Sequence, residues 1–193
     1  MASKFGQLVE RLVGAQVWFV PDGENLGTEM DPDIVSAANP PGDSDWDDYD
    51  LGRVNQAAYD PRTRDRTREW AKPTGGYQER TDTIMLEDAF NFTMIDVAES
   101  LFDQLMFGLA SAPVANTPQQ AFASAIRHKD GWVRLRRINE DGTTLCLAEL
   151  HVRLRLQTIP ADSNEPQSPV LRLSLLGDGG AEDTIVFNPT PAE

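Results

Sequence analysis

The sequence predicts a mainly β protein: two packed antiparallel sheets, as a β-sandwich or partial barrel, flanked by one α-helix at about residues 97–108, with long loops. Three observations carry this prediction. Apolar and polar residues alternate in short runs over most of the C-terminal half, the periodicity of half-buried strands. One segment near residue 100 repeats instead at helical spacing. Between residues 21 and 53, Pro, Gly, Asp and Asn crowd together with little periodicity, which marks a long loop.

The elements follow in chain order. GAQVWFVP (14–21) is a short β-rich run stopped by Pro21 and Gly23. The acidic loop 21–53 comes next, and then a polar, weakly patterned segment, 54–80, read as a basic loop or arm. Its RTRDRTRE alternates charge, as a solvated face or an arm docked on an acidic neighbour does. ERTDTIMLEDAFNFTM reads as one strand with Phe90, Phe92 and Met94 on one face. In the helix, Asp96 stands as N-cap with Glu99 three residues on, a capping box. Ala98, Leu101, Phe102, Leu105 and Leu109 form its apolar stripe, and Gly108 and Pro113 end it. Asp130-Gly131 and Asp141-Gly142 are hairpin signals flanking further strands. In TTLCLAELHVRLRLQTI the apolar phase slips by one near Ala148-Glu149, predicting a bulge or a bend between sheets. SPVLRLSLLGDGG and DTIVFNP supply the last strands. There are no internal repeats, and 193 residues suit a single domain spanning 1–193.

Charge is uneven. The net charge of −14 includes ten acids and no base between Arg11 and Arg53. Bases gather at 61–72 and 127–155, so the chain carries unlike patches suited to self-association rather than a general nucleic-acid surface. No run approaches the length of a membrane span, and MASKFGQLVERLVG lacks the apolar core of a signal peptide. These features predict a soluble, cytoplasmic chain with no membrane partner.

No catalytic set emerges. An EF-hand loop starting at Asp43 needs Gly sixth and Glu twelfth but has Asp48 and Val54; starting at Asp45 it has Asp50 and Gln56. Adventitious cation binding by the Asp-rich stretch stays open. A Gly- and Pro-bounded loop is a poor mount for a glycosidase carboxylate pair. His128 and His151 have no Ser or Cys elbow beside them, and Cys146 sits in an apolar strand-like run, as an inert core thiol does. PDGENLGTEM lacks the Lys-Ser/Thr of a phosphate loop. The expectation is a non-enzyme with no metal and no cofactor.

The order of features resembles the major tail (tail tube) proteins of long non-contractile-tailed bacteriophages. The resemblance rests on VWFVPDGENLGTEM, a short strand into a long loop; on TDTIMLEDAFNFTMIDVAESLFDQLMFGL, a strand into a helix; and on hairpins through WVRLRRINEDGTTLCLAELHVRLRLQTI. It is a likeness of architecture over most of the chain, without a diagnostic motif.

The resemblance implies a homo-oligomer of hexameric rings stacked into a tail tube. DNA passes through it during ejection without specific binding, and tape measure and tail terminator proteins are partners. Its place is the virion tail, and the host cytoplasm during assembly. An acidic lumen fits a conduit that must not hold its cargo, with Asp82, Glu87 and Asp88 as lumen-facing candidates. Trp46, Tyr49 and Leu51, in a mobile acidic loop, and Arg62, Arg64, Arg66 and Arg68 are subunit-interface candidates. The alternatives are a tail terminator or other ring component of a phage or injection machine, and a metal- or carbohydrate-binding β-sandwich module.

Overall fold

The computed structural model describes residues 14–71, 74–107, 127–138, 144–158, 168–177 and 184–187. Its strands are β1 (Gly14–Pro21), β2 (Asp50–Tyr59), β3 (Arg62–Ala71), β4 (Tyr77–Glu87), β5 (Ala89–Met94), β6 (His128–Ile138), β7 (Thr144–Thr158), β8 (Val170–Leu175) and β9 (Thr184–Phe187). A 3-10 turn occupies Asp47–Tyr49, and the helix α1 spans Glu99–Phe107.

Antiparallel pairing runs in the order β6-β1-β2-β5-β8-β7, and β6 pairs in turn with β7, closing six strands into a barrel. This corrects the expected pair of packed sheets. β7 is fifteen residues long and holds β6 along one edge while its other edge serves β9 at Cys146–Glu149 and then β8 from Val152. Closure leaves those six strands without an open edge between them, a constraint that no local alternation records. β3 and β4 stand apart as a two-stranded sheet.

A small barrel is filled by its own inward side chains. Here they include Val17 and Phe19 of β1, Phe92 and Met94 of β5, and Leu171 and Leu173 of β8. Each such burial stabilises by about 1.5–3 kcal/mol. The helix lays Leu105 and Leu101 onto the same cluster, as its stripe predicts; Leu109, Gly108 and Pro113 lie outside the described residues.

Three local expectations are corrected. Asp130-Gly131 is not a turn: Gly131 lies within β6, between Pro21 of β1 and Val152 of β7. It is glycine because a Cβ there would sit 2.3 Å from the Val20 carbonyl oxygen. Asp141-Gly142 lies outside the described residues. The slip at Ala148-Glu149 is not a bulge, since the β6–β7 register runs unbroken from Cys146 to Arg155. What changes near that point is the partner on the other edge of β7.

The capping box also fails. Asp96 spends its carboxylate on Arg53, accepting from the backbone N–H at 2.6 Å and from the guanidinium at 2.8 and 2.7 Å. That partnership holds the Asp96 carboxyl below its usual range. The Ala98 N–H donates to the Leu51 carbonyl at 3.0 Å, so the helix lead-in is tied to β2 rather than capped by its own side chain. The approach needs Gly52, which has φ +124° and where a Cβ would meet the Asp96 carbonyl oxygen at 2.3 Å.

Candidate assembly surface

Two features leave the barrel at opposite ends of β2: a strap, residues 22–49, enters it at Asp50, and an arm, β3 with β4, departs after Tyr59.

The strap is pinned to the barrel. Val35 and Trp46 from the strap join Val20 of β1 and Trp132 of β6 in a second buried cluster, with Trp18, Leu26 and Tyr49 packed against it. The Trp132 indole N–H donates to the Ser36 carbonyl at 2.8 Å. Arg134 lies over the Trp46 ring, 4.6 Å from its centroid, and donates to Asp43 at 2.8 Å and to Glu149 at 2.7 Å. His151, packed against Trp132, meets Asp22 at 3.0 Å. Within the strap, the Asn25 side-chain oxygen accepts from the N–H groups of Gly27 and Asp33 at 3.1 and 2.9 Å, an Asx-type closure of the loop.

Trp46, Tyr49 and Leu51, read as interface anchors in a mobile acidic loop, pack on their own barrel in the single subunit. Trp46 is 2% exposed and Leu51 1% exposed, both within their own subunit, and Tyr49 packs on the strap cluster. The signal for this lay in the sequence: a Trp among Asp residues can anchor a loop on its own barrel as readily as on another. The acids stay outside. Glu29, Asp31, Asp47 and Asp48 are exposed. Among the described residues no group of three or more His, Cys, Asp or Glu side chains is placed to hold a metal ion.

The segment 54–80, read as a basic loop or arm, divides. Residues 54–59 belong to β2 of the barrel, and β3 pairs with β4 in an antiparallel arm. The arm's register slips between Arg62 and Thr63 and then runs evenly from Thr63↔Met85 to Ala71↔Tyr77. All ten residues of β3 are exposed, Arg62, Arg64, Arg66 and Arg68 among them. Large apolar side chains stand free with them: Trp70 at 42%, Ile84 at 46%, Met85 at 52% and Leu86 at 60% exposure.

At its base the arm is clamped. Arg172 of β8 reaches both legs, donating to Asp60 at 2.5 Å and to Glu87 at 3.1 Å. Glu87 also accepts from Arg155 at 3.3 Å and from the Ser174 hydroxyl, and Arg62 stands 3.8 Å away. Asp60 accepts from Asn91 at 2.9 Å. The hydrogen bonds from Arg172, with Ser174 at one site and Asn91 at the other, hold the Glu87 and Asp60 carboxyls below their usual range. Ser174 and Arg172 gave no hint of this role in the sequence, where both read as ordinary strand residues.

The three acids read as lumen-facing do not form one wall. Asp82 lies on the arm, paired with Arg80 at 2.7 Å. Glu87 has a side chain only 16% exposed, enclosed by arginines. Asp88 sits at the β4–β5 junction, with one carboxylate oxygen buried. On the barrel wall, Arg153 makes a two-bonded pair with Asp130 at 2.7 Å on each contact.

No family model and no curated protein matches the chain. Among solved structures the similarity is at low level. The anti-feeding prophage cap, a tube-terminating cap, is 14% identical over 72% of this chain and 83% of that one, with a TM-score of 0.33. The sheath/tube terminator of an extracellular contractile injection system, PVC, in its extended state is 10% identical over 96% and 99%, with a TM-score of 0.38. A chain from the anti-feeding prophage baseplate is 11% identical over 98% and 100%, with a TM-score of 0.35. Likeness at that level fixes neither the fold nor the role of this chain.

Proposed function

We propose that the chain is a structural, non-enzymatic ring-forming component of a phage tail or phage-tail-like injection machine. The observation that carries this is the arm: a clamped two-stranded ribbon whose first strand is exposed at every residue. An isolated hairpin is marginal in water. A ribbon held out by ion pairs at its base, with Trp70, Ile84 and Met85 uncovered, is built to be buried by another subunit. The reading covers both a subunit of the tube itself and the terminator that ends it.

Electron microscopy of the purified chain over a concentration series tests the reading. Closed rings of fixed subunit number are expected. Rings that stack into long tubes assign the tube role; single rings that cap separately prepared tubes assign the terminator role. A chain that stays monomeric at every concentration and binds no tube overturns the proposal.

A further inference from the structure

The ladder of the arm sorts its charges by face, because directly paired residues share a face and alternate residues switch it. Arg64, Arg66 and Arg68 pair with Ile84, Asp82 and Arg80, so that face holds four arginines and one acid. The opposite face pairs Asp65 with Thr83, Thr67 with Thr81 and Glu69 with Glu79, three acids and no base. Side-chain contacts agree with this assignment: Thr83 donates to Asp65 at 2.8 Å, and the Thr67 and Thr81 hydroxyls meet at 3.2 Å. The arm is therefore a bipolar ribbon. Its apolar side chains divide as well, Trp70 and Ile84 falling on the basic face.

The strap is the complement of that face. From Asp22 to Asp50 the chain holds ten acids and no base, and Glu29, Asp47 and Asp48 are exposed on it. The two features cannot meet within one subunit without the arm folding back along the barrel, because β2 separates them. Its ten residues span roughly 33 Å at about 3.3 Å per residue. We propose that the basic face of the arm docks on the acidic strap of a second copy of the chain. The contact is head-to-tail, and repeated contacts of that kind close a ring or continue as a stack. The acidic face of the arm is repelled by any strap, so the choice of face sets the orientation of docking. Trp70 supplies an aromatic anchor beside three arginines, the composition found at interface centres. The inference rests on the ring-forming reading and names the surfaces that make the ring.

Charge reversal tests it on the full chain. One variant carries Arg64→Glu, Arg66→Glu and Arg68→Glu; the other carries Glu29→Lys, Asp47→Lys and Asp48→Lys. All six positions are exposed, and circular dichroism checks that each variant keeps the β spectrum of the parent. In sedimentation at low ionic strength, each variant alone should self-associate at least about tenfold more weakly than the parent. An equimolar mixture should recover association, because the reversed arm then meets a reversed strap and the unaltered arm an unaltered one. A salt series on the parent gives a second readout without substitution: association weakens as salt rises. Folded variants that associate as the parent does overturn the docking, and so does a mixture that recovers nothing. Rings indifferent to both reversals leave the ring reading standing without this docking. Salt-sensitive, reversal-sensitive pairs that never form rings do the opposite.

Discussion

Trp46 and Trp132 lie in one cluster but differ in what their indole N–H finds. Trp132 donates to the Ser36 carbonyl at 2.8 Å, whereas the Trp46 nitrogen is buried without an acceptor among the described residues. An unmade hydrogen bond in a buried site costs about 1–3 kcal/mol. Replacing either Trp by Phe leaves a similar cavity, so that term cancels in the comparison. Trp132→Phe additionally removes a hydrogen bond to the Ser36 carbonyl, which keeps the Asn39 N–H at 3.0 Å, and Trp46→Phe removes a donor that had no partner. The Arg134 stacking on ring 46 survives the change in weaker form, at a cost of about 0.5 kcal/mol or less. Trp132→Phe should therefore destabilise by about 1–2 kcal/mol more than Trp46→Phe, read as the difference in urea-unfolding free energies. The reverse order would show that the Trp46 nitrogen is satisfied in solution. The same residue shows how far a local sequence pattern reaches. Five Asp within eight positions describe the solvent side of the strap well, but the burial of Trp46 is decided by Val20, Trp132 and Arg134, which come from β1 and β6.

At the scale of elements, the arm owes its direction to its base rather than to its ladder. Glu87 and Asp60 are the two points where its legs meet the barrel, and Arg172 holds both. The Glu87 carboxyl is depressed by its bonds from Arg172 and Ser174. A group whose folded pKa lies below its unfolded one contributes stability above the unfolded value and loses it as pH falls through the folded value. The clamp is thus complete at neutral pH and weakens only as pH drops below the ordinary carboxylate range. Glu87→Gln removes that titration, so the acid limb of the stability-against-pH curve should flatten by up to about one proton. Amide exchange in β3 and β4 should quicken in the same variant at neutral pH. An unchanged acid limb would mean that the arginines stay satisfied without this carboxylate. The other barrel strands and the helix were legible in the sequence because each buries a face, and burial writes a period into the letters, whereas β2 buries only Leu51 and Val54 and fell within the two segments read as loops. β3 buries none, so RTRDRTRE carries alternating charge without apolar alternation, and its strand character was hidden.

For the whole molecule, the division into barrel and arm follows from pairing rather than from chain order. Barrel closure could not be read from the sequence, because β6–β1 and β6–β7 contacts join segments whose local patterns fit a sandwich equally well. The observed register makes a specific excision possible. β2 and β5 are already antiparallel neighbours with Tyr59 opposite Phe90, and the Asp60 N–H donates to the Ala89 carbonyl at 2.9 Å. The arm is thus an insertion at the mouth of a hairpin, and an Asn-Gly turn in place of residues 61–88 supplies the two-residue connection such strands accept. The excised chain keeps Asp60 and Asn91 as partners for Arg172 but loses Glu87, leaving Arg155 and part of Arg172 to water. Arg155 is half exposed but the Arg172 side chain is only 11% exposed, so that loss should cost about 1–3 kcal/mol. Loss of the Asp88 carbonyl, which accepts from the Leu175 N–H at 2.8 Å, adds about another 1 kcal/mol. The expected product is a folded barrel with the parent's near-ultraviolet Trp132 signal, a cooperative unfolding transition, and no rings at any concentration. Rings from the excised chain would place assembly in the barrel, whereas an excised chain that cannot fold would make the arm part of the folding unit.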